Sequence, residues 1–305
     1  MPKTAGGKKW VSEQACVYMA HTCNLACVYC QHPPDGRRQD PAAWAARLKK
    51  RGVKAVSLEG GGEPTANPDF FAWIRALKKS GVRQIMLSTN AVVLADEAFC
   101  ARACKAVDFF TVNFPSHRPE VYARITRSVK FPLALQGLLN LARLGAGDRL
   151  RLFHIVSAFN YKHLPAFALW AAKNFPAASV SLVFVQNKGR ALSAGGAVPR
   201  YSQAAPYIKA ALARLKLGGC RAAVQNVPLC ALNNFEGFAF EFQRWRRGDA
   251  ALEASLEPKA PARQCSLCTL EPACCGARQD YLDAHGKREL KASRKDPASI
   301  IPERF

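Results

Sequence analysis

Residues 53–90 read VKAVSLEGGGEPTANPDFFAWIRALKKSGVRQIMLSTN, and the pattern of this stretch decides the fold class. Residues 53–58 alternate as a short strand, which the glycine-rich turn at residues 60–64 ends. Asn67 and Pro68 then open a predicted helix, because asparagine caps a helix N-terminus and proline suits its first turn. We predict that this helix runs to Ser80, stops at Gly81 and leads into a strand at residues 83–88. Strand, helix and strand in this order predict a parallel β-α-β unit.

The same alternation of strand and helix continues on both sides of this unit. It predicts further strands at residues 15–20, 108–113, 149–156 and 179–185, and further helices at 41–51, 96–106, 133–144, 164–174 and 203–216. About six such repeats predict an α/β protein in which helices cover a parallel sheet. The alternation ends near residue 218, so we predict that the α/β part covers residues 15–217 and that a small cysteine-containing C-terminal appendage covers 218–285. A basic N-terminal tail (1–14) and a C-terminal tail (286–305) complete the predicted organisation.

The composition is that of a globular protein, with 49% hydrophobic and 22% charged residues. It excludes a wholly disordered, collagen-like or coiled-coil chain. The longest stretch without a charge, residues 14–34, contains too many polar residues and prolines to cross a membrane. Lys8, Lys9 and Glu13 lie where a signal peptide needs apolar residues. We therefore expect a cytoplasmic protein with no membrane partner.

The net charge is unusually high, at +22 with a sequence pI of about 9.8. Residues 149–235 contain no acidic residue, whereas they contain eleven of the 44 lysines and arginines. A field of this kind attracts anionic partners, although it does not determine the fold.

The chain contains twelve cysteines, and in a reducing cytoplasm metal binding explains them better than disulfides. The sequence Cys23-Asn-Leu-Ala-Cys27-Val-Tyr-Cys30 places three of them directly after the first predicted strand. Three thiolates on one loop suit a 4Fe–4S cluster with one iron left open, since zinc usually takes four ligands. A zinc site that His32 completes is the alternative.

The C-x3-C-x2-C spacing, with Tyr29 before the last cysteine, resembles the cluster motif of radical S-adenosylmethionine (SAM) enzymes. The sequence GGGEP at residues 60–64 resembles the motif that lets backbone groups approach the SAM amino group in this family, a role that glycine suits. Polar residues at the next two strand ends, in Ser88-Thr89-Asn90 and at Asn113, resemble those that hold the SAM ribose and carboxylate. Many members end the fourth strand with Ser-x-Asp-Gly, whereas this chain has Asn113-Phe-Pro-Ser116.

The resemblance covers about residues 15–190 and implies a partial (β/α)6 radical SAM barrel, with SAM at the C-terminal mouth of the strands. It implies that Cys23, Cys27 and Cys30 hold a cluster whose open iron binds SAM and whose electron cleaves SAM to a 5′-deoxyadenosyl radical. That radical then removes a hydrogen atom from the substrate. A flavodoxin or a ferredoxin is the implied electron donor. The implied SAM-binding residues are Tyr29, Gly61, Gly62, Glu63, Pro64, Ser88, Asn90, Asn113 and Ser116.

A second cysteine group begins at Cys265 and has the spacing C-x2-C-x5-C. It resembles the SPASM and twitch regions at the C-terminus of radical SAM enzymes, which hold auxiliary clusters. We expect four cysteines to bind one auxiliary 4Fe–4S cluster: Cys230, Cys265, Cys268 and Cys274.

The match to a full SPASM region is incomplete, because Arg278 stands where a further cysteine is usual. Cys275 in place of Cys274 and Cys220 in place of Cys230 stay open. A zinc ribbon on the same thiolates is a further alternative.

The other cysteines have a plainer explanation. Cys16 is expected in the core of the first strand, because free cysteine is among the most buried residue types. Cys100 and Cys104 lie four residues apart on one predicted helix, and we expect them to pack rather than to bind a metal.

The sequence is consistent with three classes of substrate: a peptide or protein, RNA, and a small molecule. Auxiliary clusters of this pattern accompany many enzymes that modify peptides or proteins, so a peptide or protein substrate is our main hypothesis. Only about 14 residues precede the first predicted strand, so we expect a separate protein or the acid-free basic region to hold an acidic leader. The charge favours RNA instead, and a single auxiliary cluster also suits a dehydrogenase or cyclase of small molecules. A non-enzymatic iron–sulfur or zinc-binding module leaves GGGEP unexplained.

Overall fold

The computed structural model describes residues 14–248, 262–303 and 305. Its strands form one parallel sheet in chain order, and the sheet is not closed. The strands are β1 (Gln14–Val17), β2 (Ala55–Leu58), β3 (Gln84–Thr89), β4 (Phe109–Asn113), β5 (Leu150–Val156), β6 (Ser179–Phe184) and β7 (Arg221–Gln225). The predicted α/β class is therefore confirmed, with one strand more than the sequence indicated.

The helices alternate with these strands along the first two thirds of the chain. They are α1 (Pro41–Lys50), α2 (Phe70–Lys79), α3 (Glu97–Ala106), α4 (Pro119–Thr126), α5 (Phe131–Arg143), α6 (Leu164–Asn174), α7 (Arg190–Ser193), α8 (Tyr201–Leu217), α9 (Leu229–Leu232), α10 (Phe240–Arg246), α11 (Arg263–Ser266) and α12 (Gln279–His285). Within the described residues, no helix combines the length and the apolar character that crossing a membrane requires.

The described contacts divide the chain into two compact units. The first contains the described residues within Met1–Leu25, His32–Asn113 and Lys130–Leu150, and the second contains those within Ala26–Gln31, Phe114–Val129 and Arg151–Phe305. The predicted boundaries at residues 217 and 285 stay predictions. Residues 1–13 of the predicted basic tail and residues 249–261 of the predicted appendage lie outside the described residues.

In the first unit, the predicted β-α-β stretch forms β2, α2 and β3. The register pairs Leu58 of β2 with Leu87 of β3, and both are fully buried. Burial alternates along β3, so Ser88 and Met86 share one face of the sheet while Leu87 lies on the other. This alternation decides which side chains remain accessible at the strand ends.

The start of α2 differs from the prediction, because the helix begins at Phe70 and not at Pro68. The side-chain amide of Asn67 donates to the carbonyl oxygen of Met19 at 2.7 Å, and its Oδ1 accepts the N–H of Asp69 at 2.9 Å. Asn67 and Pro68 thus belong to the turn that precedes the helix, and the contact to Met19, 48 positions away, holds that turn.

In the second unit, the sequence missed α4, β7 and the short helices α7 and α9 to α12. The segment of α4 is short, although Pro119 occupies its first turn as proline commonly does. The five residues of β7 pair with β6 inside the predicted appendage, so the parallel sheet continues beyond residue 218. The C-terminal residues pack against this unit, because the N–H of Glu303 donates to Gly237 at 2.9 Å and the Arg151 guanidinium lies 5.0 Å from the Phe305 ring.

We expect His154 to make the folded protein sensitive to acid. Its Nδ1 lies 3.0 Å from the carbonyl oxygen of Phe114, its Nε2 has no partner within the described structure, and burial lowers its pKa from 6.5 to about 3. Since the unfolded chain takes up this proton below pH 6.5 and the folded chain does not, the stabilisation present above pH 6.5 is lost as the pH falls towards 3. The loss by pH 5 is about 2 kcal/mol.

The comparison that checks this is denaturant unfolding of the wild type and of His154→Gln between pH 8 and pH 5. The glutamine variant lacks the titrating group, so its free energy of unfolding should fall by about 2 kcal/mol less over this range. Equal pH dependence of the two proteins would contradict the prediction.

Candidate functional site

Three consecutive glycines follow β2 with positive φ angles, namely Gly60 (71°), Gly61 (64°) and Gly62 (143°). A Cβ at Gly62 would lie 2.2 Å from the carbonyl oxygen of Thr22. That oxygen also accepts the N–H of Glu63 at 2.8 Å. The GGGEP turn therefore lies directly against the residue that precedes Cys23, and only glycine fits at Gly62.

The Glu63 carboxylate connects the end of β2 to the end of β3. It is 3% exposed and accepts the Thr65 hydroxyl at 2.6 Å, the Thr89 hydroxyl at 2.6 Å and the Asn90 N–H at 2.8 Å. Burial raises its pKa, while the hydrogen bonds from Thr65, Thr89 and Asn90 lower it. The side chain of Glu63 is thus used within the protein, and Pro64 begins a short 3-10 turn beside it.

Asn90 joins the strand end to the cysteine loop. Its Nδ2 donates to Oδ1 of Asn24 at 2.6 Å, and the backbone oxygen of Asn24 accepts Nζ of Lys130 at 3.2 Å. The structure thereby adds two residues that sequence reasoning missed. The position of Asn24 inside the cysteine motif could have indicated its role from the sequence. Lys130 lies 106 positions from Asn24, and no sequence pattern connects the two.

Two further predicted residues, Ser88 and Asn113, lie on one face of the sheet. Ser88 pairs in register with Thr111, and Asn113 follows Thr111 by two positions, so alternation places all three side chains on the same side. Ser88 and Asn113 are half-buried. Polar groups of the first unit therefore collect at the carboxyl ends of β2, β3 and β4, where parallel folds place their sites.

In the second unit, the segment with Cys27 and Cys30 is fixed by backbone hydrogen bonds. The N–H groups of Ala26 and Val28 donate to the carbonyl oxygens of Thr126 and Ile125 at 3.0 and 2.9 Å. The N–H of Cys30 closes a turn onto the oxygen of Cys27 at 3.2 Å. Tyr29 is buried, whereas Cys27 and Cys30 are half-buried.

Gly189 approaches this turn closely and was not predicted. It has a φ of 57°, and a Cβ there would lie 2.4 Å from the carbonyl oxygen of Cys30. The N–H of Arg190 donates to the same oxygen at 2.9 Å.

Ser116, a predicted SAM contact, is 1% exposed, and its hydroxyl oxygen accepts the Arg118 N–H at 2.9 Å.

The four cysteines predicted for the auxiliary cluster line one pocket in the second unit. Its empty volume is about 540 Å³, part of which is open solvent. The cysteines that line it are Cys230, Cys265, Cys268 and Cys274, and Pro228, Leu229, Leu270, Glu271, Gly276, Ala277, Leu290 and Lys291 complete the wall. We call this the cysteine pocket.

Backbone N–H groups point at two of these sulfur atoms. Sγ of Cys274 accepts the N–H groups of Leu229 and Gly276, each at 3.3 Å, and Sγ of Cys268 accepts that of Ser293 at 3.3 Å. Such donors favour the thiolate form that binds metals. Burial raises the pKa of Cys230, and the nearby thiols of Cys274, Cys265 and Cys268 raise it as well.

The two alternative cysteines have other surroundings. Sγ of Cys275 donates to the carbonyl oxygen of Gly276 at 3.4 Å, and Cys220 is 7% exposed with Gly218 as its contact at 3.9 Å. Neither is among the described residues that line the cysteine pocket. Across residues 14–248 and 262–303, no three His, Cys, Asp or Glu side chains are grouped to hold a metal ion.

The core prediction for Cys16 is wrong. The side chain is exposed, because Cys16 lies on the strand face opposite to the fully buried Val17. Its thiol donates to Oε1 of Glu59 at 2.7 Å, and desolvation together with the Glu59 carboxylate raises its pKa to about 12. Cys100 is buried, as the packing prediction requires.

Comparisons with known proteins agree with this arrangement. The model of the radical SAM superfamily matches residues 17–170. The mycofactocin maturases MftC of Mycobacterium ulcerans (strain Agy99) and Mycobacterium tuberculosis (strain ATCC 25618 / H37Rv) are 29% and 31% identical over 161 and 166 residues. These matches cover 50% and 51% of this chain but only 42% and 40% of the relatives. The chain thus spans about two fifths of the length of these relatives.

Solved structures share the fold at low sequence identity. The FeFe-hydrogenase maturase HydG from Carboxydothermus hydrogenoformans has a TM-score of 0.52 at 16% identity, over 73% of this chain and 56% of that chain. Methylornithine synthase (PylB) has a TM-score of 0.51 at 14% identity, over 70% and 64%. Native anSMEcpe with bound AdoMet and Cp18Cys peptide has a TM-score of 0.51 at 15% identity, over 85% and 70%. Since the family model matches just over half of the 305 residues, the chain belongs to the radical SAM superfamily, whose members use a 4Fe–4S cluster and SAM.

Proposed function

We propose that this protein is a radical SAM enzyme that modifies a peptide or protein substrate. The observation that carries the proposal is the family match over residues 17–170, which includes C-x3-C-x2-C and GGGEP. When bound, the cluster supplies the electron that cleaves SAM to a 5′-deoxyadenosyl radical, which removes a hydrogen atom from the substrate. The protein's part is to hold these groups and to keep the reactive site away from water.

Cys23, Cys27 and Cys30 are the proposed cluster ligands. The geometry supports this assignment, because backbone hydrogen bonds hold the chain at or next to each of the three cysteines. Thr22, before Cys23, accepts the Glu63 N–H, and Cys30 accepts the Arg190 N–H. Gly61, Gly62, Ser88, Asn90 and Asn113 are the proposed SAM contacts of the first unit, and Tyr29 and Ser116 those of the second.

We propose an auxiliary 4Fe–4S cluster on Cys230, Cys265, Cys268 and Cys274. The four cysteines line one pocket, and backbone N–H groups donate to the sulfur atoms of Cys274 and Cys268. Such donors stabilise bound thiolates. A zinc ribbon would use the same four thiolates, and the iron and zinc content of the reconstituted protein distinguishes the two.

A peptide substrate is supported by the two relatives, which are maturases. Residues 149–235, which contain no acidic residue, are the proposed contact for an acidic leader. The same charge attracts RNA, which is the second candidate, and it suits an acidic electron donor such as a flavodoxin or ferredoxin.

Part of this charge stabilises the fold, since Arg149 donates to the oxygens of Val107 and Asp108 at 2.8 and 3.3 Å. We place the protein in the cytoplasm.

The test is anaerobic reconstitution followed by reduction with dithionite in the presence of SAM. We expect about eight irons per chain and formation of 5′-deoxyadenosine that requires dithionite. Filter binding near physiological salt then compares tRNA with an acidic peptide. Retention of the peptide but not of tRNA supports the peptide assignment, whereas retention of tRNA alone would move the proposal to RNA. Absence of 5′-deoxyadenosine would contradict the enzyme assignment.

A further inference from the structure

The turn after β7 leads into the cysteine pocket. It begins at Asn226, which has a φ of 61°, a left-handed conformation that a residue other than glycine adopts at a cost. Four residues later the chain reaches Cys230, which lines the pocket. The backbone between them also supplies the Leu229 N–H to Sγ of Cys274 at 3.3 Å. The position of this turn therefore affects two of the four proposed ligands.

A buried carboxylate holds the turn. Oε1 of Glu241 accepts the N–H of Asn226 at 2.9 Å, and Glu241 is 5% exposed at the start of α10. Its Oε2 is buried and has no hydrogen-bond partner within the described part of the chain. A buried carboxylate with a spare oxygen is expensive to keep, so a role beyond packing is indicated.

Burial raises the pKa of Glu241, the Asn226 N–H lowers it, and the charge on Cys274 raises it, so the two groups interact electrostatically. A negative charge near a cluster disfavours an added electron, since protein charges tune cluster potentials.

We infer that Glu241 is a positioning residue of the auxiliary site, which sets the Asn226 turn so that Cys230 and the Leu229 N–H face the cluster. The inference rests on the auxiliary cluster proposed above. The carboxylate oxygen fixes the turn, and the carboxylate charge lowers the reduction potential of the cluster. The two contributions separate in Glu241→Gln, which retains an oxygen acceptor without the charge, and in Glu241→Leu, which retains neither.

The experiment uses the full chain with Cys23, Cys27 and Cys30 replaced by alanine, so that the auxiliary cluster is the one measured. After anaerobic reconstitution at pH 8.5, this parent protein should hold about four irons. We expect Glu241→Gln in this background to keep about four irons with a more positive midpoint potential and an altered EPR signal. Glu241→Leu should lose at least half of the iron.

Asp108→Leu is the matched control, because Asp108 is 9% exposed and its Oδ2 also accepts a backbone N–H, that of Ile85 at 3.0 Å, within the first unit. It should keep about four irons.

Full iron in Glu241→Leu, equal loss in Asp108→Leu, or loss of iron in Glu241→Gln would overturn the inference. An unchanged potential and EPR signal in Glu241→Gln would overturn it too, even if the leucine variant fails to fold. An iron-free parent would contradict the auxiliary cluster itself, and the inference with it.

Discussion

The Gly62→Ala variant is expected to lose at least about 99% of the rate of SAM cleavage, because a displaced cysteine loop costs on the order of 100-fold for about 1 Å. Gly62 has a φ of 143°, and an added Cβ would lie 2.2 Å from the oxygen and 2.8 Å from the carbonyl carbon of Thr22. Backbone atoms cannot rotate away from such a contact as a side chain can. The turn or the Thr22–Cys23 segment must therefore move, and the Glu63 N–H bond to Thr22 is lost with it.

The measurements are the rate of 5′-deoxyadenosine formation and the iron content of the reconstituted variant. Gly145→Ala is the matched control, because Gly145 also has a positive φ, 74°, but no atom lies within 4 Å of the added Cβ. That variant keeps the conformational cost of about 1–2 kcal/mol without the clash, so its cleavage rate should stay within about twofold of the wild type. A normal rate of SAM cleavage by Gly62→Ala would show that the close contact between Gly62 and the Thr22 backbone is not needed.

The Cys274→Ser variant should bind about four irons instead of about eight, while Cys275→Ser should bind about eight. The two sulfur atoms are neighbours in sequence but differ in environment. Sγ of Cys274 lines the cysteine pocket and accepts two backbone N–H groups, whereas Sγ of Cys275 donates to the Gly276 oxygen. Donors that point at a sulfur atom stabilise a bound thiolate.

The measurement is the content of iron, acid-labile sulfide and zinc per chain in the wild type and in both variants. An equal loss of iron in both variants would contradict the assignment of Cys274. Iron loss in Cys275→Ser alone would exchange the two roles. Zinc at one equivalent in wild type, lost in Cys274→Ser while about four irons remain, would replace the second cluster with a zinc ribbon.

Most of the fold was predicted from patterns among residues that are neighbours in the sequence. The strand and helix periodicities around residues 53–90 predicted a parallel α/β sheet correctly, because burial of one helix face and alternation along a strand are visible in neighbouring residues. Glycines with positive φ after β2 were likewise visible as GGG. The sequence missed β7, because its five residues (RAAVQ) include two alanines, which strands disfavour. It missed α4 because eight residues span only about two helical turns, too few periods to stand out.

The sequence by itself determined the cysteine spacings, the glycine turn and hence the superfamily, since these depend on residue type and separation along the chain. Only the tertiary structure decided that Asn67 bonds to Met19, that Asn90 meets Asn24, and that the Glu241 carboxylate holds Asn226. It also decided between Cys274 and Cys275 as lining residues of the cysteine pocket. The physical reason is that a hydrogen bond or a metal site depends on which distant segments the packed core brings within about 3 Å, and composition and periodicity contain no such distances.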